Sequence, residues 1–562
     1  MNNKGWAKAV CSPSSFILHS SLFIVVFALS LGPRLLARDL FPTSDEDSWM
    51  RRTGGFTFGL ATGQLGRTYQ NGHPGVTTMW TAMLSLGPGE AIRFADRVHG
   101  LRFVGQVPGY LPALAQGRIG FALLAAVGVA VCSLLIWRMF GLLVATLAGV
   151  ALALEPFLVA NTQLVHVDGP LTTFMAVSAL AALVRWRAGG GRGFVVLSGI
   201  TAGLALLSKS PALFLLPYVA VLAVASYLTP QPPSLKGRGS CLRSSSFPLA
   251  KGAGGLAWDL VLWAALVVGT FVLFWPAIWV LGPIEVLARM IAFTRETGGQ
   301  PDEVGSFFMG QVGGDPGPLY YPLATLFRLS PFVTLGLLAL LVLVGRLSDH
   351  ERSRAAWLAA FVIGFGAMMT LGPKKFDRYL LPIFPPLVLL AALGWKLGIQ
   401  RVLAVSFLEQ RRRAFSAALI VGLSLLAAWP LALVYPYPLA YYNPLTGGGR
   451  AAQRTVMVGN GEGLDQAARW LSSQPNSNDL WIAAHSFDIL AAMIPSQGEP
   501  LREGIPGDAD YIVTYGRRIQ MRRWSQALER YFQANPPVFT AWINGIEYVR
   551  VHPGPHLLLK NE

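Results

Sequence analysis

Apolar residues in this chain arrive in long blocks rather than in the short alternations of a water-soluble fold. The blocks lie near 16–36, 116–137, 140–160, 170–185, 194–208, 211–228, 257–281, 323–345, 356–372, 379–395 and 414–434. Crossing about 30 Å of hydrocarbon takes roughly 17–25 residues of helix, and most of the blocks have that length. The pattern predicts an all-α polytopic membrane protein with about eleven transmembrane helices. Beyond Pro436 it changes. Charged helical periodicity covers 463–471 and 517–532, and short apolar runs at 480–484, 511–514 and 545–551 read as strands. The expected division is therefore a membrane domain over 1–435 and a small C-terminal α/β domain over 436–562.

Composition agrees with the pattern. Hydrophobic residues make up 53% of the 562 and charged residues only 13%, about half the share in soluble domains. The mean hydropathy is +0.47. A net charge of +16 would ordinarily raise nucleic acid as a partner. The basic residues instead gather in short loops between apolar blocks: Arg185, Arg187 and Arg192; Lys236, Arg238, Arg243 and Lys251; Arg346, Arg352 and Arg354; Lys396, Arg401, Arg411, Arg412 and Arg413. Positive loops stay cytoplasmic, so the charge reports topology and nucleic acid is excluded.

Lys4 and Lys8 precede the first block and no small-x-small cleavage site precedes Pro33-Arg34. An uncleaved first span with a cytoplasmic N-terminus follows. Parity then places 37–115, the turns near 159–169, 208–211 and 373–378, the segment 282–322 and the C-terminal domain outside the cell membrane. The loop 229–256, rich in Pro, Gly and Ser, reads as a flexible inner insertion. Cys11, Cys132 and Cys241 have no metal-ligand spacing.

The unusual polar residues fall on the outer side. The first outer segment carries Asp45, Glu46 and Asp47 in a row, then His73 in Asn71-Gly72-His73-Pro74. His166 and Asp168 stand before one span, Lys209 lies between two spans, and Lys374, Lys375, Asp377 and Arg378 crowd one tight turn. Ionisable groups at membrane depth are costly and mark function. Carboxylates facing cations suit attack on a sugar carried by a lipid phosphate. A carboxylate takes a proton from an acceptor hydroxyl, and Lys or Arg stabilises the departing phosphate.

Each residue also has a plainer role open to it. The plainer reading of Asp45 is a solvated acid, of Glu46, Asp47 and Asp168 helix caps, of His73 a turn histidine and of Lys209 a snorkelling side chain. Asp45, His166 and Asp168 together leave a divalent metal open. The Glu155-Pro156 pair reads as a kink. The glycine-rich run 459–463 lacks a Walker lysine and reads as a turn entering a helix.

The runs SDEDSWMRR, TYQNGHPGVTTMW, LVHVDGPLTTFM, GLALLSKSPALFLLP, FWPAIWV, FFMGQVGGDPGPLYYP, KKFDRYLLPIFPPL, YYNPLTGG and GNGEGLDQAARWL occur in that order. Together they resemble the bacterial dolichyl-phosphate-mannose–protein mannosyltransferase-like proteins of glycosyltransferase family 39, in the GT-C superfamily. The resemblance runs from about residue 40 to the C-terminus, apart from 229–256. It implies a GT-C fold and inverting transfer of a mannose-like or other sugar from a polyprenyl-phosphate donor, without a cofactor, to a protein, lipid or glycan acceptor. It also implies catalysis by an acidic pair, Asp45 and Glu46, or Glu46 and Asp47 in the other register. Lys209, Lys375 and Arg378 would lie near the donor phosphate, with Asp168, His166 and His73 lining the site. No outer segment before the final spans is long enough for the β-trefoil of the eukaryotic relatives. The competing readings are a flippase for a lipid-linked sugar and a non-catalytic membrane scaffold.

Overall fold

The structure, a computed structural model, describes residues 13–98, 101, 104–228, 253–302, 305–404 and 412–561. Most of the 229–256 insertion, the N-terminal lysines, Cys11 and Cys241 lie outside the described residues.

Every predicted apolar block is helical, but the helices are not eleven equal spans. Among the described residues eight are long and apolar enough to cross a bilayer: Ile17–Leu36, Tyr110–Phe140, Asp168–Arg187, Ser210–Leu228, Gly254–Phe274, Asp349–Thr370, Asp377–Leu403 and Ala414–Val434. Two more blocks are broken helices. Leu142–Leu154 and Pro156–Thr162 meet at 56°, and Tyr320–Arg328 and Pro331–Arg346 at 114°. The last block, Gly193–Ser208, has 16 residues, about 24 Å of helix at 1.5 Å per residue. The protein is an integral membrane protein.

Both breaks have a local cause and one shared clasp. Pro156 and Pro331 each begin the second half-helix, where the missing N–H costs nothing. Glu155, at the first corner, accepts hydrogen bonds from Ser330 N (2.9 Å) and Ser330 Oγ (2.6 Å) at the second. The Glu-Pro pair is thus the kink expected of it, and it also ties the two broken helices together.

Burial sorts the helices into a centre and a rim. Asp377–Leu403 and Asp168–Arg187 are almost wholly enclosed, whereas Ile17–Leu36, Gly254–Phe274 and Asp349–Thr370 lie mostly on the outside. Rim residues such as Ile24, Val268, Ile363 and Leu425 are exposed. A continuous apolar belt of this kind is stable against lipid and not against water. Away from the C-terminal domain the basic loops make their own pairs. Asp259 binds Arg185 and Arg192, and Glu351 binds Lys396.

A hairpin of β1 (Ser306–Phe308) and β2 (Gln311–Gly313) lies in the segment after the seventh apolar block. The C-terminal domain holds five strands: β3 (Trp481–Ala484), β4 (Gln497–Pro500), β5 (Tyr511–Tyr515), β6 (Phe539–Ile543) and β7 (Ile546–Pro553). Their order is β4-β3-β5-β7-β6, with β3 parallel to β4 and β5 and the rest antiparallel. All of β5 is buried. Helix Leu464–Ser472 packs on β6 and β7, and Tyr531 and Phe532 of Gln526–Ala534 pack with Ala483 and Ile512. The sequence pattern anticipates β3, β5 and β7 but not β4 or β6. The single helix expected over 517–532 is two, Gly516–Met521 and Gln526–Ala534, because the chain turns at Arg522 with φ 48°.

The change of composition at Pro436 is not a break in packing. Leu439, Ala440, Tyr441, Tyr442 and Asn443 are buried. Arg328, ending its half-helix, donates to Leu439 O (2.8 Å), Tyr441 O (2.7 Å) and Tyr442 Oη (2.9 Å) and to Asp377 Oδ2 (2.7 Å). One guanidinium therefore joins the connector, a broken helix and the Asp377 turn. Arg328→Ala leaves the partly buried Asp377 carboxylate and two carbonyls without their donor, a loss of about 2–4 kcal/mol, below that for half of a fully buried pair. The expected result is a lowered melting temperature in detergent and new proteolytic cleavage between 436 and 448.

Candidate functional site

The acidic run opens helix Glu46–Ala61, and its three carboxylates face three ways. Glu46 is fully buried. Its Oε2 accepts from Thr43 N (2.9 Å) and Thr43 Oγ1 (3.1 Å), and its Oε1 from Val165 N (3.0 Å) and Arg118 Nε (2.8 Å). Arg118 also reaches Oε2 and donates to Arg38 O (2.7 Å) and Phe41 O (2.8 Å). Burial alone would raise the pKa of Glu46, but Arg118 and these hydrogen bonds outweigh it and hold the carboxyl below its ordinary value. With both oxygens taken, Glu46 lies away from the cavity. The catalytic partnership expected of Glu46 is thus corrected to an anchoring position. Asp47 turns back onto Ser48 N, and burial raises its pKa. Asp45 alone projects into a cavity.

Four predicted residues converge around Asp45. Its Oδ2 accepts from Arg378 Nη2 at 2.9 Å and lies 3.5 Å from His166 Nε2. His166 Nδ1 is 3.2 Å from Asp168 Oδ2, Lys209 Nζ donates to Asp168 Oδ1 at 2.8 Å, and Arg378 Nε is 3.5 Å from Asp168 Oδ2. Asp168 begins its span, Lys209 follows Gly193–Ser208, and Arg378 begins Asp377–Leu403. Three helix ends thus meet at one point. Tyr379 lies under the Lys209 ammonium at 4.1 Å and Phe376 under the Arg378 guanidinium at 4.7 Å.

Within this network Asp168 and Lys209 are enclosed, with side chains 2% and 7% exposed, while Asp45 is 42% exposed into the cavity. Burial of the Asp45 carboxyl would raise its pKa, but the adjoining Arg378 and His166 more than offset it. Asp45 is held below the usual carboxylate range and is ionised at neutral pH. His73 lies across the cavity, edge-on to Phe293 at 4.8 Å. Burial, with Lys209 nearby, lowers its pKa to about 3, so the ring is neutral, and its buried Nδ1 has no hydrogen-bond partner among the described residues. A neutral ring suits a hydroxyl better than a phosphate charge.

The cavity encloses about 430 Å³, in the range of small-ligand sites. Six cations line it, Arg52, Lys209, Arg328, Lys374, Arg378 and Arg517, against the carboxylates of Asp45, Asp302, Asp377 and Glu462. Trp49, Phe157, Phe293, Tyr320, Phe376 and Tyr379 supply aromatic wall. Lys375 is absent from this lining. Its ammonium is buried against Asp315 Oδ1 and Gly372 O, both at 2.7 Å, which corrects its phosphate-binding assignment. Its neighbour Lys374 faces the cavity, 3.4 Å from Asp302. Two adjacent lysines look alike in a sequence, and only the turn's geometry separates them.

Arg52, Arg328, Ser486 and Arg517 are among the lining residues the pattern did not single out, and the run 459–462 figures in it only as part of a turn. Arg52 carried one signal, its placement three residues after Trp49, whose ring it covers at 4.6 Å. As for a metal, the two ring nitrogens of His166 point at different acids. Among the described residues no three His, Cys, Asp or Glu side chains form a metal-holding group.

The resemblance read from the sequence is borne out over residues 113–237, which match the family model described as dolichyl-phosphate-mannose-protein mannosyltransferase. His166, Asp168 and Lys209 lie within that stretch; Asp45 and Arg378 lie outside it. A search of curated proteins finds no match. Among solved structures the chain is similar to ArnT from Cupriavidus metallidurans in the apo state, with 13% identity over 95% of this chain and 98% of that one and a TM-score of 0.47. It is also similar to the archaeal oligosaccharyltransferase AglB from Archaeoglobus fulgidus, at 13% identity over 96% and 74% with a TM-score of 0.44. The S. cerevisiae protein O-mannosyltransferase Pmt1-Pmt2 complex gives 17% identity over 53% and 40%, with a TM-score of 0.34. Likenesses of this degree assign no role to any residue.

The geometry separates two neighbouring acids experimentally. Glu46→Ala strands the buried Arg118 charge, at a cost of about 3–5 kcal/mol, and is expected to reduce folded yield and melting temperature in detergent. Asp45→Asn, in the exposed position, is expected to leave both near the wild-type values.

Proposed function

We propose that this protein is an inverting glycosyltransferase of the GT-C type that moves a sugar from a polyprenyl-phosphate donor to an acceptor hydroxyl on the extracytoplasmic face. The observation that carries this reading is Asp45, an ionised carboxylate exposed in a cavity whose other charges are mainly cationic, formed where span ends meet. Asp45 removes the proton of the acceptor hydroxyl, whose oxygen bonds to the anomeric carbon as the carbon–oxygen bond to phosphate breaks on the opposite face. Polyprenyl phosphate leaves with that electron pair. The products are the glycosylated acceptor and polyprenyl phosphate, and the proton passes from Asp45 to water.

Arg378 touches Asp45 and faces the cavity, so it is the first candidate to take up the departing charge, with Lys374 and Arg52 beside it. Lys209 acts largely through Asp168, which it neutralises. His73 is suited to a sugar hydroxyl. The basic loops, paired at the other end of the helices, support a cytoplasmic end opposite the site. No step requires a metal.

General-base help is worth about 10²–10⁴ in rate. Asp45→Asn is expected to lower turnover of a polyprenyl-phosphate sugar by that order; full activity in the variant would remove the base. The sign for pH follows from the depressed pKa. The charge on Asp45 persists through neutral and mildly acid pH and is lost only below the ordinary carboxylate value of 3.8. The acid limb of kcat/KM assigned to Asp45 should therefore lie below that value and vanish in Asp45→Asn. Treatment with EDTA is expected to leave turnover unchanged. Loss restored by a divalent cation would require a metal.

A further inference from the structure

The run 459–463 reads from the sequence as a plain turn, and it does lead into helix Leu464–Ser472. Its position is less ordinary. Gly459, Gly461 and Gly463 have φ of 104°, 112° and 83°, a region that favours glycine. A Cβ on Gly461 would lie 2.7 Å from Pro42 O and 2.9 Å from the Phe41 ring. The turn is thus pressed onto the loop that carries Asp45, and Asn460 Oδ1 accepts from Ser44 Oγ at 3.2 Å, one residue from the base. Tyr515 braces it, accepting from Gly461 N and donating to Glu462 Oε2 at 3.1 Å.

A second, independent observation comes from the sheet. After β3 the chain moves to β4 on one side, and then crosses to β5 on the other. Open α/β sheets bind ligands in the crevice beyond the carboxyl ends of parallel strands at such a switch point. Ser486 follows β3 and Arg517 follows β5, and both line the Asp45 cavity together with Asn460. The span ends supply the cations on one side of Asp45, and this crevice closes the other.

We propose, building on the glycosyltransferase reading, that Asn460, Ser486 and Arg517 form the acceptor subsite. An amide, a hydroxyl and a guanidinium there recognise a polyhydroxylated, glycan-type acceptor and turn one of its hydroxyls toward Asp45. The C-terminal domain is then part of the active site, and specificity for the acceptor resides in it while the membrane domain holds the donor.

The test uses the full chain in detergent, undecaprenyl phosphate carrying radiolabelled mannose, glucose or a pentose, and membranes from cells lacking the gene as acceptor. Asn460→Ala and Arg517→Ala are expected to raise the acceptor KM at least tenfold. Their affinity for undecaprenyl phosphate should stay within twofold of wild type, and their melting temperatures should not change. Label should enter a protease-resistant fraction. Weakened undecaprenyl phosphate binding without a KM effect would move these residues to the donor side and overturn the proposal, as would an unchanged KM. Label in protein would overturn the glycan-type acceptor. Failure of the wild-type protein both to bind undecaprenyl phosphate and to turn over any of these donors would instead overturn the glycosyltransferase reading itself.

Discussion

The buried pair between Arg118 and Glu46 sets the direction in which the first acidic loop presents its side chains. Arg118 comes from the early turns of helix Tyr110–Phe140 and holds Arg38 O, Phe41 O and both oxygens of Glu46. A buried charge pair is a poor source of net stability, because desolvation consumes most of the attraction. Its value here is positional. With Glu46 turned inward and Asp47 turned onto Ser48, the backbone leaves Asp45 only the cavity to face. The second network, Lys209–Asp168–His166–Arg378, then meets Asp45 at its Oδ2 and fixes its ionisation.

This arrangement explains which parts of the site were legible in the sequence. Asp45, His166, Asp168, Lys209 and Arg378 stood out because charge at the end of an apolar block is costly and therefore conspicuous, and the structure gathers all five. Glu46 was conspicuous for the same reason, yet its partner Arg118 sits 72 positions away, where no local pattern links them. Lys374 and Lys375 differ only in the direction a turn gives them. Arg328 lies inside the apolar block 323–345 and drew no notice there, and its role becomes visible only with the connector at 439–442 folded against it.

The fold was legible to a similar depth. Apolar blocks announce helices because lipid forces every backbone group to be satisfied within its own segment. What they do not announce is continuity. Proline at 156 and 331 breaks two blocks, and a block of 16 residues at Gly193–Ser208 ends early, leaving Lys209 where it can reach Asp168. In the C-terminal domain the edge strands β4 and β6 were missed, since short half-exposed strands carry little alternation.

The clasp between Glu155 and Ser330 has a geometric consequence for the chemistry above it. Phe157 and Asn161 from one broken helix, and Arg328 from the other, line the cavity. Two broken helices stitched together at Glu155 and Ser330 thus supply one shared wall of the cavity. On the proposed glycosyltransferase reading, a phosphate tethered to a long isoprenoid chain meets Asp45 at the ends of the spans, with its tail still dissolved in lipid.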